Sequence, residues 1–268
     1  MSVRVDQPTP YPDVNAVLHE LLSAAQSILG DRFLGMYLGG SLAAGDFDPH
    51  RSDIDFLVVT FDEIPDNMLP AFEATHTRIA AGGSVWATEL EGSYIPKDAL
   101  RRYNPARALH PHLERGGVFR VEQHDSDWVI HRHVLREHGM ALAGPAPRTL
   151  IDPVGPDDLR RAVLELLLGW WAPMLDDPAR LCDPGYLPYA VLTMCRMLYT
   201  LQHGTIVSKP VAARWAQQAL GERWVGLIDQ ALVWCRDEQF EYLNETRDLI
   251  RCALERSQQG VPLPDPRG

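Results

Sequence analysis

The sequence predicts an α+β chain: an N-terminal domain with a mixed β-sheet and helices, followed by a C-terminal α-helical bundle. Three observations carry that prediction. Short strand-like runs, Phe33–Leu38 stopped by Gly39-Gly40 and then Asp53–Thr60 with its strongly apolar continuation, read as buried strands in the first half. Apolar residues at helical spacing dominate the second half, with Val163, Leu164, Leu167 and Leu168 expected on one face. Between them the proline-rich turn Gly144-Pro145-Ala146-Pro147 marks a linker. The expected division is residues 1–147, residues 148–260 and a frayed tail over 261–268.

Each element has its own reason. Val14 to Leu29 carries apolar residues at helical spacing, and Gly30 ends it. The run Phe33–Leu38 then enters a tight turn at Gly39-Gly40. Glycine matters there because a Cβ would keep the backbone from closing on an anion, and successive N–H groups form an anion-binding concavity. Ser41 adds a hydroxyl, and Ser41 to Ala44 can open a helix whose N-terminus favours negative charge.

Residues 45–52 are loop by composition, and Asp53 to Thr60 is the next strand. Strand side chains alternate, so Asp53 and Asp55 point the same way while Ile54 enters the core. Carboxylates at the head of a buried strand are costly unless paired or bound to metal. The pair is therefore expected to hold magnesium beside a phosphate-binding turn, which is the chemistry of nucleotidyl transfer. A helix over 69–81 stops at Gly82-Gly83, and a strand follows over 85–95. Residues 101–128 mix Pro, Gly and His, with Val118–Val121 the best strand candidate. The second half is expected to form helices over 157–171, 187–203, 210–220, 225–236 and 238–257.

Gly40-Ser41 with Asp53-x-Asp55 resembles the signature of the nucleotidyltransferase superfamily that includes DNA polymerase beta. The likeness continues through Leu90-Glu91-Gly92-Ser93-Tyr94-Ile95-Pro96, Ala141–Pro145, Val191–Tyr199 and Gly204–Lys209, which resemble, in order, segments of aminoglycoside adenylyltransferases of the streptomycin/spectinomycin type. That resemblance implies transfer of AMP from ATP to a hydroxyl of an aminoglycoside, with release of pyrophosphate. It also implies roles: Gly40 and Ser41 contact the triphosphate, Asp53 and Asp55 hold Mg2+, and Glu91 is the catalytic base. Arg196 and Lys209 match cations of the helical domain that reach the nucleotide. Glu89, two residues before Glu91 on the same strand face, is the alternative base. Streptomycin-type members carry an acidic drug-binding residue where this chain has Tyr186, and the nearest carboxylate is Asp183. An aminoglycoside is the leading acceptor, not necessarily streptomycin; a small metabolite or a protein side chain is the alternative, and a non-catalytic nucleotide-binding module is the reading from another class.

Composition bounds the partners. At 268 residues, 46% hydrophobic and 23% charged, the chain suits two globular domains, each with a core. A formal charge of −11 disfavours nucleic acid and would draw a cationic small-molecule acceptor. Cys182, Cys195, Cys235 and Cys252 are widely spaced, as in reduced core residues of a cytoplasmic protein. No apolar run approaches the roughly eighteen residues that span a bilayer, and no signal-peptide pattern opens the chain, so a cytoplasmic protein is expected, and the family resemblance implies a monomer. His110 with His112, or His131 with His133, have the spacing of one strand face but lack the partners of a zinc site. Trp170 and Trp171 are expected mainly in the core, with stacking on a ligand ring the alternative.

Overall fold

In the computed structural model, which describes residues 7–182, 185–235 and 238–259, helix α1 (Pro12–Leu29) buries Val14, Leu18, Leu21 and Leu22 and ends at Gly30, whose φ is 52°. Strand β1 (Phe33–Leu38), helix α2 (Gly40–Ala44), strand β2 (Ile54–Thr60), helix α3 (Leu69–Ala80) and strand β3 (Leu90–Pro96) follow. Then come α4 (Lys97–Arg101), β4 (Leu109–Glu114), β5 (Val118–Gln123), α5 (Asp127–His138), β6 (Met140–Ala143) and α6 (Pro147–Leu150). The six strands form one sheet in the order β5-β4-β3-β2-β1-β6. Among the described residues only β2 and β3 pair in parallel, so the sheet is mixed, as expected.

Strand alternation gives the sheet two faces. Met36, Leu38, Ile54, Phe56, Val58 and Tyr94 share a core with α1 and α3. Tyr37, Leu57, Val59 and Ile95 share the other with Leu100 of α4 and Leu135 of α5. Asp55, Glu91 and Ser93 have the parity of the second face, so the expected catalytic side chains emerge on the side covered by α4 and α5.

Several boundaries differ from expectation. Asp53 stands just before β2 rather than inside it. Residues Val85–Ala87 form a 3-10 turn and β3 starts only at Leu90, which leaves Glu89 outside the strand. The ambiguous region 101–128 contains a full hairpin, β4 and β5, at the edge of the sheet, and α5 begins at its end.

A second compact unit begins at Val154. It comprises α7 (Pro156–Leu166), a π-helical turn (Leu167–Trp171), α8 (Pro173–Asp176), α9 (Tyr186–His203), α10 (Lys209–Ala219), α11 (Val225–Val233) and α12 (Leu243–Gln259). α9 is its axis: Val191, Met194, Cys195 and Leu198 are buried, and α7, α10, α11 and α12 all pack against it. The π turn corrects one expectation. Its extra residue stretches the buried stripe to Val163, Leu167 and Trp171, spaced by four, and turns Leu168 outward at 54% exposure. α11 ends at Val233 and α12 starts at Leu243, shorter than the two helices read from the sequence; Asp183, Arg236 and the tail 261–268 lie outside the described residues. Among the described residues no helix is long and apolar enough to cross a membrane.

Candidate active site

The glycine turn closes directly on the head of β2. The Gly39 N–H donates to the Asp55 carbonyl at 3.0 Å, and Gly40 adopts φ 51°, a left-handed conformation that favours glycine. A Cβ on Gly40 would collide with the Asp55 carboxylate. The position thus demands glycine twice over, for its backbone angle and for the space Asp55 occupies. Beside it the Ser41 hydroxyl is buried without a protein hydrogen-bond partner. Buried hydroxyls rarely stay so, and a phosphate oxygen would satisfy this one. The connecting loop is tied by Asp48, which binds Arg51 Nε at 2.8 Å and accepts the His50 N–H at 3.0 Å, and Asp53 follows it.

Asp55 and Glu91 are paired positions of the parallel strands β2 and β3. Their side chains therefore leave the sheet next to each other on one face. Burial, and after it the charge of Asp53, pushes the Glu91 carboxyl up to about 7, while His131 and Arg115 act in the opposite sense. A carboxyl poised there can accept a proton near neutral pH. Glu89 has a different setting: its carboxylate meets Arg115 Nε at 2.8 Å and its backbone carbonyl accepts from Ile54.

The donor set suits magnesium. Mg2+ is commonly held by one or two carboxylates together with substrate phosphates, rather than by an all-protein cage. Asp53 and Asp55 with a triphosphate at the Gly40-Ser41 turn match that pattern. Among the described residues no three His, Cys, Asp or Glu side chains converge on a common ion.

Part of the surroundings was not legible in the sequence. Ser93, on the Glu91 face of β3, lies 2.7 Å from His112 Nδ1 and 3.0 Å from His124 Nε2. His124 stacks on Trp128 with ring centroids 3.7 Å apart. Burial, then the nearby His110 and His112, push His124 down to about 2, so it is neutral. His131 and His133, expected two apart on a strand, instead belong to α5, where residues two apart face different ways. The helix start Ser126-Asp127, with apolar and basic residues alternating at helical spacing behind it, was the available signal.

In the second unit, Lys209 opens α10 with Nζ 4.6 Å from the centroid of the Tyr189 ring. Arg196 is half-buried on α9, two turns along from Tyr189 on the same helix face. Trp171 is core, at 2% exposure, whereas Trp170 is 39% exposed, donates its indole N–H to the Tyr186 hydroxyl at 3.1 Å and lies under the Arg180 guanidinium. The expectation of core burial thus holds for one tryptophan of the pair. Gly40, Ser41, Asp53, Asp55 and Glu91 all belong to the first unit, and Arg196 and Lys209 to the second.

Comparison with known proteins agrees with this geometry. Residues 149–258 match the family described as aminoglycoside adenylyltransferase, C-terminal domain, and residues 20–85 match the nucleotidyltransferase domain. An aminoglycoside (3'') (9) adenylyltransferase of Shigella flexneri is 31% identical over 228 residues, which cover 82% of this chain and 84% of that protein. A spectinomycin 9-adenylyltransferase of Staphylococcus aureus is 28% identical over 231 residues, covering 82% and 84%. Among solved structures, a spectinomycin adenyltransferase from Enterococcus faecialis, crystallised with ATP and spectinomycin, superposes with a TM-score of 0.71 at 19% identity, over 91% of this chain and 98% of that one. The shared fold, the glycine-serine turn against Asp55 and the extent of these matches lead to one conclusion: this chain is a nucleotidyltransferase and belongs to the aminoglycoside adenylyltransferase family.

Proposed function

We propose that the enzyme transfers AMP from ATP to a hydroxyl of a cationic aminoglycoside and releases pyrophosphate, with Mg2+ held by Asp53 and Asp55. The observation that carries this reading is the juxtaposition of Glu91 with Asp55 on adjacent strands, beside a turn whose glycine is fitted to the Asp55 carboxylate. When bound, magnesium would neutralise phosphate charge and help orient the triphosphate. Gly40 and Ser41 bind the triphosphate through backbone N–H groups and the orphaned hydroxyl. Glu91 takes the proton from the acceptor hydroxyl, whose oxygen bonds to the α-phosphorus as the bond to the β-phosphate oxygen breaks. Its raised pKa supports this assignment over Glu89, which is engaged by Arg115. Arg196 and Lys209 are assigned to the nucleotide; the C-terminal family match and the family resemblance of their segments support them. The proposal includes action as a cytoplasmic monomer without nucleic acid, in keeping with the net charge of −11.

Tyr186 favours an acceptor other than streptomycin. Where streptomycin-type enzymes carry an acid, this chain places a phenol bound to Trp170 and close to the Trp171 and Tyr189 rings. The test is pyrophosphate release from ATP and Mg2+ across a panel of aminoglycosides. Release with at least one of them, abolished by Asp53→Asn with an unchanged circular dichroism spectrum, is expected. A folded enzyme silent across the panel would remove the antibiotic acceptor and turn the search to labelled-ATP transfer in cell lysate.

A further inference from the structure

The face of β3 that carries Glu91 continues inward to Ser93, which is wholly buried. Its hydroxyl joins β3 to β4 through His112, and to the segment after β5 through His124. His124 lies flat on Trp128, their planes 5° apart, and Trp128 is the second residue of α5. One turn later the buried Arg132 donates from Nε to Leu100 O at 3.0 Å, from Nη2 to Ala99 O at 2.8 Å and from Nη1 to Trp128 O at 3.0 Å. The opening turns of α5 are thus fixed to β3 and α4 by stacking and by buried hydrogen bonds. Buried polar networks of this kind are demanding to build and specify one geometry when formed.

What this fixed turn displays is a carboxylate paired with an imidazole. Asp127 and His131 sit one turn apart, with Nε2 and Oδ2 at 3.5 Å, and their side chains are 39% and 57% exposed. Burial works to raise the Asp127 carboxyl, yet hydrogen bonding and charge from His131 outweigh it, so Asp127 is held below the usual carboxylate range and stays charged. α5 also packs on α2, the helix that begins in the glycine turn, and the charge of His131 is felt at Glu91. The pair therefore belongs to a helix that packs against the glycine-turn helix, with His131 close enough for its charge to reach Glu91. It forms no part of the proposed phosphate or magnesium site.

We propose that Asp127, braced by His131, selects a cationic acceptor at the Glu91 base, and that Ser93, His124 and Trp128 are positioning residues that hold it there. The inference rests on the assignment of Glu91 as the acceptor's base. Hydroxyls of aminocyclitols and amino sugars have ammonium groups as close neighbours. A fixed carboxylate near the base would pair with such an ammonium and present the adjacent hydroxyl, while a neutral sugar would gain nothing from it. The placement is a matter of geometry, so small displacements of α5 should weaken acceptor binding and leave the nucleotide side intact.

Steady-state kinetics of the full chain, with the aminoglycoside that gives the highest turnover in the panel, test this. Asp127→Asn is expected to raise the acceptor KM about 10- to 100-fold, the loss typical of a charge-assisted hydrogen bond, with the smaller share of the loss in kcat and little change in the KM for ATP. Trp128→Leu should raise the acceptor KM in the wild-type background but add little to Asp127→Asn, a non-additivity that general damage to the fold would not produce. An unchanged acceptor KM in Asp127→Asn, or an equal rise in the KM for ATP, overturns the inference while the proposed reaction stands. Full activity of Glu91→Gln, or silence of the wild type across the panel, overturns the assignment beneath it.

Discussion

Glu91 shows how one side chain acquires its chemistry from where it stands. Its carboxyl is pushed up to about 7 chiefly by burial and then by Asp53, against an ordinary value of 4.5. In the proposed role of base it must be ionised, so kcat/KM should climb with pH and level off above about 7 rather than near 4.5, because that ratio reports the free enzyme. Stability should run the other way. The unfolded chain releases this proton near 4.5 and the folded one near 7, so the favourable contribution is present below 4.5 and lost as pH rises through 7. Glu91→Gln should therefore abolish turnover yet raise stability at pH 8, by at most about 3 kcal/mol for a shift of this size. Denaturant unfolding of both proteins at pH 5 and pH 8 checks the sign: the variant's advantage should appear only at the higher pH. Gly40 represents the opposite kind of residue, one chosen for what it lacks, since any side chain there meets Asp55.

At the scale of elements, the site depends on the parallel pair β2 and β3, which sets Asp55 against Glu91. Gly92 lies within that pairing, opposite Phe56 and next to Glu91, and a Cβ there would strike the Phe56 carbonyl and ring. Gly92→Ala should cost about 1–3 kcal/mol from overpacking. It should also reduce kcat, because relief of the clash must separate the two strands that carry the acids. A variant with wild-type stability by thermal melting would contradict this account of the pairing. Helix α5 illustrates a different dependence. Its position comes from Arg132 donating to the Ala99 and Leu100 carbonyls of α4 and from the His124 ring stacked on Trp128, and those partners lie outside the helix. The π-helical turn has a local effect of the same kind, since one added residue sends Trp171 into the core and leaves Trp170 at the surface.

For the whole molecule, the excess of acidic residues gives a net charge of −11, and the first unit gathers Asp53, Asp55, Glu91 and Asp127 around one face of its sheet. Such a field attracts a polycation at long range and is screened by salt, with a Debye length of about 10 Å at 0.1 M that shortens to about 3 Å at 1 M. The acceptor KM should accordingly rise several-fold between low salt and about 0.5 M, through a slower on-rate. Stopped-flow binding across a salt series provides the measurement, and a salt-independent on-rate would show that the acceptor does not sense this charge.

The amino-acid sequence by itself determined the mixed sheet followed by a helical unit, the glycine-serine turn and the candidacy of Asp53 and Asp55, while Glu91 became a candidate through the family resemblance of its segment. All but the last rest on local rules: side chains alternate along a strand, glycine alone fits a left-handed turn, and buried carboxylates need a reason. Tertiary structure decided what those rules leave open. Glu89 and Glu91 have the same parity in sequence, and the start of β3 at Leu90 and the approach of Arg115 distinguish a salt-bridged residue from one whose carboxyl is pushed up to about 7. The Ser93, His112, His124 and Trp128 assembly joins residues of two strands, a connecting segment and a helix. A pattern confined to neighbours along the chain cannot encode such a meeting, because it depends on how separate elements pack.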